Sequence, residues 1–191
     1  MAYKTIQKLT IGEFKNLNSK FIAYLYPFRA KAQLDDILLV LRKEHPKARH
    51  FCYAYRIGYE REEFRANDDG EPSGTAGKPI LNQLYSFEIK NALIVVVRYF
   101  GGTKLGVPGL IEAYKEAAKS SLLMAEIVED RELKEALLDI PESQYYTMIK
   151  LLKTNKIDVI ESSYSQNKYQ LSVRYDTSKH ALIESFLQTK N

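Results

Sequence analysis

The chain has 191 residues, of which 45% are hydrophobic, and a formal net charge of +4 with an isoelectric point near 8.9. This length allows one large domain or two small ones, and the charge is too balanced for a histone-like nucleic-acid binder. The single Cys52 excludes an intramolecular disulfide and a multi-cysteine zinc site. Because no signal peptide or membrane-length apolar run is visible, we expect a cytoplasmic protein.

The first 130 residues mix strand and helix patterns. Apolar residues alternate over 49–57, so Phe51 and Tyr53 are expected on one face of a strand and His50 and Cys52 on the other. Thr75 or Ser73 is the expected cap of a later helix. The predicted elements are two or three strands within 4–27, a helix over 30–44, strands over 49–57 and 63–66, a helix ending near 86, a doubly buried strand over 93–97 and a helix over 108–124.

The pattern changes after residue 130. A strand over 135–140, a helix over 141–153, strands over 157–164 and 168–175 and a last helix after Thr177 or Ser178 are predicted there. This β-α-β-β-α order is typical of a ferredoxin-like unit. We therefore expect two domains, residues 1–130 and 131–191, in an α+β protein.

Two glycine-rich loops contain seven of the nine glycines, and each follows a strand and opens a helix. Helix starts carry unpaired N–H groups and a positive dipole end, which favour phosphate or carboxylate. The alternative is that the glycines only permit tight turns. Neither loop is a nucleotide motif, since Pro79 stands where a Walker A sequence needs Ser or Thr. The candidate anion-binding residues are Lys78, Arg98, Gly101, Gly102, Lys104 and Gly106.

A catalytic alternative centres on His50, which would act with the acidic residues of the first loop, Asp68, Asp69 and Glu71. The alternative is that these carboxylates stabilise turns or cap a helix, and that His50 makes a structural hydrogen bond. Cys52 is about 6.5 Å from His50 along a strand, too far for a nucleophile–base pair. The EF-hand spacing is absent, so no metal site or cofactor is predicted.

The stretches Asp68–Gly77 and Val95–Gly106 resemble the signature sequences of the IMPACT family, in particular of its bacterial YigZ-like members. The resemblance is strong over about residues 10–125 and weaker over the last 60. Pro108 departs from it, because many relatives have glycine there. It implies an N-terminal α/β domain with the left-handed βαβ arrangement of certain ribosomal-protein and elongation-factor domains. It also implies a C-terminal ferredoxin-like domain similar to the last domain of elongation factor G.

The resemblance implies translational control during amino-acid starvation for eukaryotic relatives, and a nucleic-acid or ribosome-related role without a defined reaction for bacterial ones. Our first hypothesis is a monomeric RNA- or ribosome-binding regulator of translation or stress response, with Arg98, Lys104 and Lys78 contacting phosphate. The second is a hydrolase of a phosphorylated or anionic small substrate at His50. The third is a protein-interaction module.

Overall fold

The computed structural model describes residues 2–58 and 62–188, and the chain divides into two compact units, one of Tyr3–Asp130 and a second that begins at Arg131 and also includes Ala2. The fold class is α+β, as predicted. Among the described residues, no helix combines the length and apolarity that crossing a membrane requires. The first unit contains β1 (Ala2–Ile6), β2 (Thr10–Asn16), β3 (Ser19–Pro27), α1 (Leu34–Glu44), β4 (His50–Ile57), β5 (Glu63–Asn67), α2 (Gly77–Ser86), β6 (Ala92–Tyr99), α3 (Gly106–Leu123) and β7 (Ile127–Arg131).

Five strands form an antiparallel sheet in the order β2-β3-β6-β4-β5. The central strand β6 is buried over seven of its eight residues, which explains its apolar character on both faces. In the register of the sheet, Val95 lies opposite Tyr24 of β3 and Tyr53 of β4. Because β3 and β4 both run antiparallel to β6, the segment β3-α1-β4 crosses over β6.

The two faces of this sheet pack against different helices. Ala54 and Val96 lie on the face covered by α2 and α3 and contact the same cluster as Tyr114. Tyr53 and Val95 lie on the opposite face, in a cluster with residues of α1. The alternation predicted for residues 49–57 is therefore observed. The strands β1 and β7 form a separate two-stranded sheet, which the sequence patterns did not predict.

The second unit contains β8 (Leu133–Pro141), α4 (Tyr145–Thr154), β9 (Asp158–Ser165), β10 (Lys168–Asp176) and α5 (His180–Gln188). Its sheet order is β8-β10-β9, and both pairs are antiparallel, so β8 and β9 are parallel strands on either side of β10. This is the split β-α-β arrangement of ferredoxin-like folds. Leu138, Leu152, Leu171, Val173 and Ile183 are fully or almost fully buried in its core.

Candidate anion-binding cleft

Both glycine-rich loops leave the sheet at the same end. The strands β5 and β6 are each antiparallel to β4 and therefore parallel to each other, so residues after Asn67 and after Tyr99 emerge together. Beside them lies a cleft of about 420 Å³, a volume typical of small-molecule sites. Its lining residues are Arg49, His50, Glu71, Pro72, Arg98, Phe100, Lys104, Leu105, Gly106, Val107 and Leu110.

His50 and Arg98 lie directly opposite each other on β4 and β6. Both occupy positions that alternate with the α1-facing residues, so their side chains share the face covered by α2 and α3. Opposed residues of an antiparallel pair have Cβ atoms about 5 Å apart. The sheet register therefore places an imidazole beside a guanidinium at the cleft.

The Arg98 side chain is only 8% exposed and forms a buried ion pair with Glu71, whose side chain is 4% exposed. Arg98 Nη1 donates to Glu71 Oε1 at 2.5 Å. Its Nε is buried with no hydrogen-bond partner among the described residues, and Nη2 has no acceptor among them either. The guanidinium carbon lies 5.5 Å from the Phe21 ring centroid and 5.7 Å from that of Phe100. The ion pair thus fixes Nη1, and among the described residues only Nη2 is left as a donor that is neither paired nor fully buried.

The Glu71 carboxylate also links the first loop to α3. Tyr114 Oη donates to Glu71 Oε1 at 2.8 Å, and the Cys52 Sγ lies 3.2 Å from Tyr114 Oη and 2.9 Å from Asp68 O. Burial raises the pKa of the Cys52 thiol and of the Tyr114 phenol, so both groups stay protonated. A protonated buried thiol is a poor nucleophile, which agrees with a packing role for Cys52.

His50 is oriented by the backbone of the first loop. Its Nδ1 lies 2.9 Å from Asp69 O, and because a carbonyl can only accept, Nδ1 carries the proton. In the neutral ring Nε2 is then an acceptor, and it has no hydrogen-bond partner among the described residues. The Asp69 carboxylate itself accepts from Phe51 N at 2.7 Å and from Arg42 Nη2 at 3.2 Å. Asp69 therefore holds the loop in place and does not line the cleft.

The Asp68 carboxylate is the cap of α2. It accepts hydrogen bonds of 2.8 to 3.0 Å from three backbone N–H groups, those of Gly74, Ala76 and Gly77. The predicted caps Thr75 and Ser73 do not have this role, and the Thr75 hydroxyl donates instead to Pro72 O at 2.6 Å. A carboxylate is favourable here because it satisfies unpaired donors at the positive end of the helix.

The start of α3 forms another part of the cleft. Gly106 and Val107 line it, and no side chain caps the helix at Leu105. Pro108 has no N–H, but the other first-turn N–H groups lack intrahelical acceptors and add to the positive potential. Lys104 immediately precedes this turn and is exposed. The helix start thus brings positive potential to the same cavity as Arg98.

The second loop rests on the turn between β2 and β3. Gly101 N donates to Ser19 Oγ at 3.1 Å, and a Cβ at Gly101 would lie 2.1 Å from the backbone carbon of Asn18. The neighbouring Gly102 has a φ of +88° and open space around it. Gly101 is therefore required by close packing, whereas Gly102 is required by its left-handed backbone.

The cleft unites five predicted residues, His50, Glu71, Arg98, Lys104 and Gly106. The other predicted residues, Lys78, Gly101, Gly102, Asp68 and Asp69, are not among its lining residues. Sequence reasoning missed Arg49 and Phe100, although each adjoins a predicted site residue. Among the described residues, no group of three His, Cys, Asp or Glu side chains could hold a metal ion.

The fold and the site define a two-domain α+β protein with a basic cleft between two glycine-rich loops. Residues 17–122 match the model of the Impact N-terminal domain. An IMPACT family member from Haemophilus influenzae is 33% identical over 169 residues, covering 86% of this chain and 81% of that protein. The chain therefore belongs to the IMPACT family, as the signature sequences predicted.

Other relatives match over shorter regions. YvyE of Bacillus subtilis is 39% identical over 128 residues, and YigZ of Escherichia coli is 43% identical over 95 residues. These alignments cover 67% and 49% of this chain but only 59% and 45% of the two relatives. A crystal structure described as that of a hypothetical protein is 30% identical, with a TM-score of 0.69 over 97% of this chain and 91% of the other.

Proposed function

We propose that the chain binds RNA, free or within the ribosome, by holding phosphate in the cleft, and that it regulates translation or the stress response. The observation that carries this proposal is the Arg98 guanidinium, which lines the cleft at the start of α3 and whose Nη2 has no acceptor among the described residues. A guanidinium N–H donates a short, charge-assisted hydrogen bond to a phosphate oxygen. The ion pair with Glu71 orients the guanidinium before a ligand arrives.

The other groups of the cleft suit the same ligand. Arg49 and Lys104 are exposed and form no ion pair within the described parts of the chain, so their charges are available. Phe100 is 56% exposed and offers a flat apolar surface. Basic side chains combined with an exposed aromatic ring are typical of sites for single-stranded nucleic acid, where bases stack on the ring.

The role in translation is proposed from family membership. The resemblance implies a domain type also found in certain ribosomal proteins and elongation factors. An RNA-phosphate site on this domain is consistent with that origin. A protein partner, the third hypothesis from the sequence, would explain the family role equally well but gives no reason for three basic side chains, Arg49, Arg98 and Lys104, around one cleft.

The test measures affinity for a mixed-sequence single-stranded RNA across a salt series. Lys104→Ala and Arg49→Ala are each expected to weaken binding and to reduce the log–log salt slope by about 0.7, the value for one phosphate contact on a single strand. Arg98→Lys, which keeps the charge beside Glu71 but removes the fork, is expected to weaken binding further.

Lys78→Ala is the matched control, because Lys78 is exposed but lies outside the cleft lining. Its affinity and slope should equal those of the unaltered protein. If only Lys78→Ala weakened binding, the RNA-binding surface would have to be assigned to the first loop instead of the cleft. Equal RNA binding by all four variants, with folding intact, would refute the cleft as the RNA site.

A hydrolase is the second candidate, and the accessible Nε2 of His50 is the observation that favours it. This imidazole could act as a general base beside Arg98 and Glu71. It ranks second because Asp68 and Asp69, its predicted partners, are occupied with backbone hydrogen bonds. Release of phosphate from a phosphate monoester would support a hydrolase if the activity disappeared in His50→Ala.

A further inference from the structure

Two hydrogen-bond acceptors in the cleft are not explained by phosphate binding. When the His50 ring is neutral, its Nε2 is an acceptor, because the Nδ1 proton is donated to Asp69 O. Glu71 presents Oε2, because the bonds from Arg98 and Tyr114 both end on Oε1. Within the described residues, neither atom has a donor. Both side chains line the same cavity as the Arg98 guanidinium.

These acceptors restrict what can occupy the cleft. A phosphodiester carries negative charge and acceptor oxygens only, so it cannot satisfy an imidazole nitrogen or a carboxylate oxygen. A ligand that left these atoms unpaired after excluding water would lose affinity. The occupant must therefore combine an anionic group with a hydrogen-bond donor a few bonds away.

The geometry limits the distance between that donor and the phosphate. His50 lies directly across the strand pair from Arg98, and both side chains line the cleft in which Arg98 would hold phosphate. In RNA, the 2′-hydroxyl is a donor on the sugar adjoining every phosphate, and DNA lacks it. Donors on the bases vary with sequence and lie further from the phosphate.

We infer that the cleft selects RNA over DNA because His50 Nε2, beside Glu71 Oε2, accepts a hydrogen bond from a ribose 2′-hydroxyl. The same nucleotide places its phosphate on Arg98 and its base toward Phe100. This inference rests on the proposed function, since it assigns the sugar chemistry of the ligand that the phosphate site binds. His50 is the position at which the selection can be altered without breaking the buried ion pair.

The experiment compares three fluorescent single strands with identical bases: RNA, DNA containing deoxyuridine, and 2′-O-methyl RNA. Affinities are measured by anisotropy at pH 8 with the unaltered full chain. RNA should bind on the order of 10-fold more tightly than DNA, the value of one hydrogen bond to a charged or buried group. The 2′-O-methyl strand keeps the oxygen but has no proton to donate, so it should bind as weakly as DNA.

His50→Ala provides the matching protein variant, with its fold checked by thermal unfolding. RNA affinity should fall to the level of DNA, while DNA affinity stays unchanged. Equal binding of the three strands by the unaltered chain would overturn ribose selection and leave the phosphate site standing. Tight binding of 2′-O-methyl RNA would also overturn it, because sugar shape would then explain the preference. Absence of binding to every strand would instead refute the proposed function.

Discussion

At the scale of single residues, the buried pair between Arg98 and Glu71 is the most consequential interaction. Both charges are almost fully removed from water, and each depends on the other for compensation. Removing one partner of such a pair typically costs about 3–5 kcal/mol, because the remaining charge stays buried. A loss of RNA binding in Arg98→Ala could therefore result from a folding defect or from the lost phosphate contact. For this reason Arg98→Lys is the more informative variant for the binding experiment.

We predict that Arg98→Ala lowers the free energy of unfolding by about 3 kcal/mol or more, as measured by urea titration. Arg98→Met combined with Glu71→Leu should cost less than Arg98→Ala alone, because no uncompensated charge remains. Lys104→Ala, which alters an exposed side chain, should change stability by less than about 0.5 kcal/mol. Losses below about 1 kcal/mol in Arg98→Ala would show that the pair is effectively solvated.

At the scale of elements, the loop between β6 and α3 makes two different demands on glycine. A methyl group at Gly101 would overlap the backbone of Asn18, which cannot move without distorting the turn between β2 and β3. At Gly102 the space is open and only the positive φ opposes a side chain. Conformation alone usually accounts for about 1 kcal/mol.

We predict that Gly102→Ala lowers the unfolding free energy by about 1 kcal/mol and that Gly101→Ala lowers it by clearly more. Thermal or urea unfolding of the two variants measures the difference. Ser19→Ala, which removes the acceptor of the Gly101 N–H, should reproduce only a fraction of the larger loss. If Gly101→Ala were as stable as Gly102→Ala, the loop would not rest on that turn.

The elements also show how far the sequence alone could be interpreted. Alternation and helical spacing depend on neighbouring residues, so β4, β6 and the helices were predicted close to their observed limits. The strand β7 was missed because its five residues pair with β1, which lies more than 100 positions earlier in the chain. Asp68 was not predicted as the α2 cap because it bonds N–H groups up to nine positions later, and only the path of the loop brings them together.

The same distinction applies to the cleft. The glycine-rich loops could be selected as candidates from composition alone. The pairing of Arg98 with Glu71 could not, since the two residues are 27 positions apart and meet only through the packing of the first loop against β6. For that reason Arg98 was predicted only as a phosphate contact, and the structure shows in addition that its side chain is buried and paired with Glu71.

At the scale of the whole molecule, the two predicted domains each have a separate core. The second unit buries Leu138, Leu152, Leu171, Val173 and Ile183 within about 60 residues. Domains of this size can fold alone, although with little stability to spare. That residues 131–191 form an independent domain therefore stays a prediction, and the separate core supports it.

We predict that a fragment of residues 131–191 unfolds cooperatively on heating and gives dispersed amide NMR shifts at low temperature. Leu171→Ala should markedly lower the midpoint temperature of thermal unfolding of this fragment, since the substitution removes a fully buried side chain from the only described sheet of the unit. An unstructured fragment without a thermal transition would mean that the boundary at residue 130 is misplaced or that the two parts fold together.

The capping role of Asp68 has a consequence for how such proteins are recognised. The fold itself requires a carboxylate at Asp68 and the absence of a side chain at Gly101. Both requirements would be the same for any ligand of the protein. A sequence signature that contains these residues therefore identifies proteins with the same fold and gives no information about the ligand that they bind. Ligand preference would instead depend on exposed positions outside the two signature sequences, such as Arg49, where a substitution leaves those sequences unchanged.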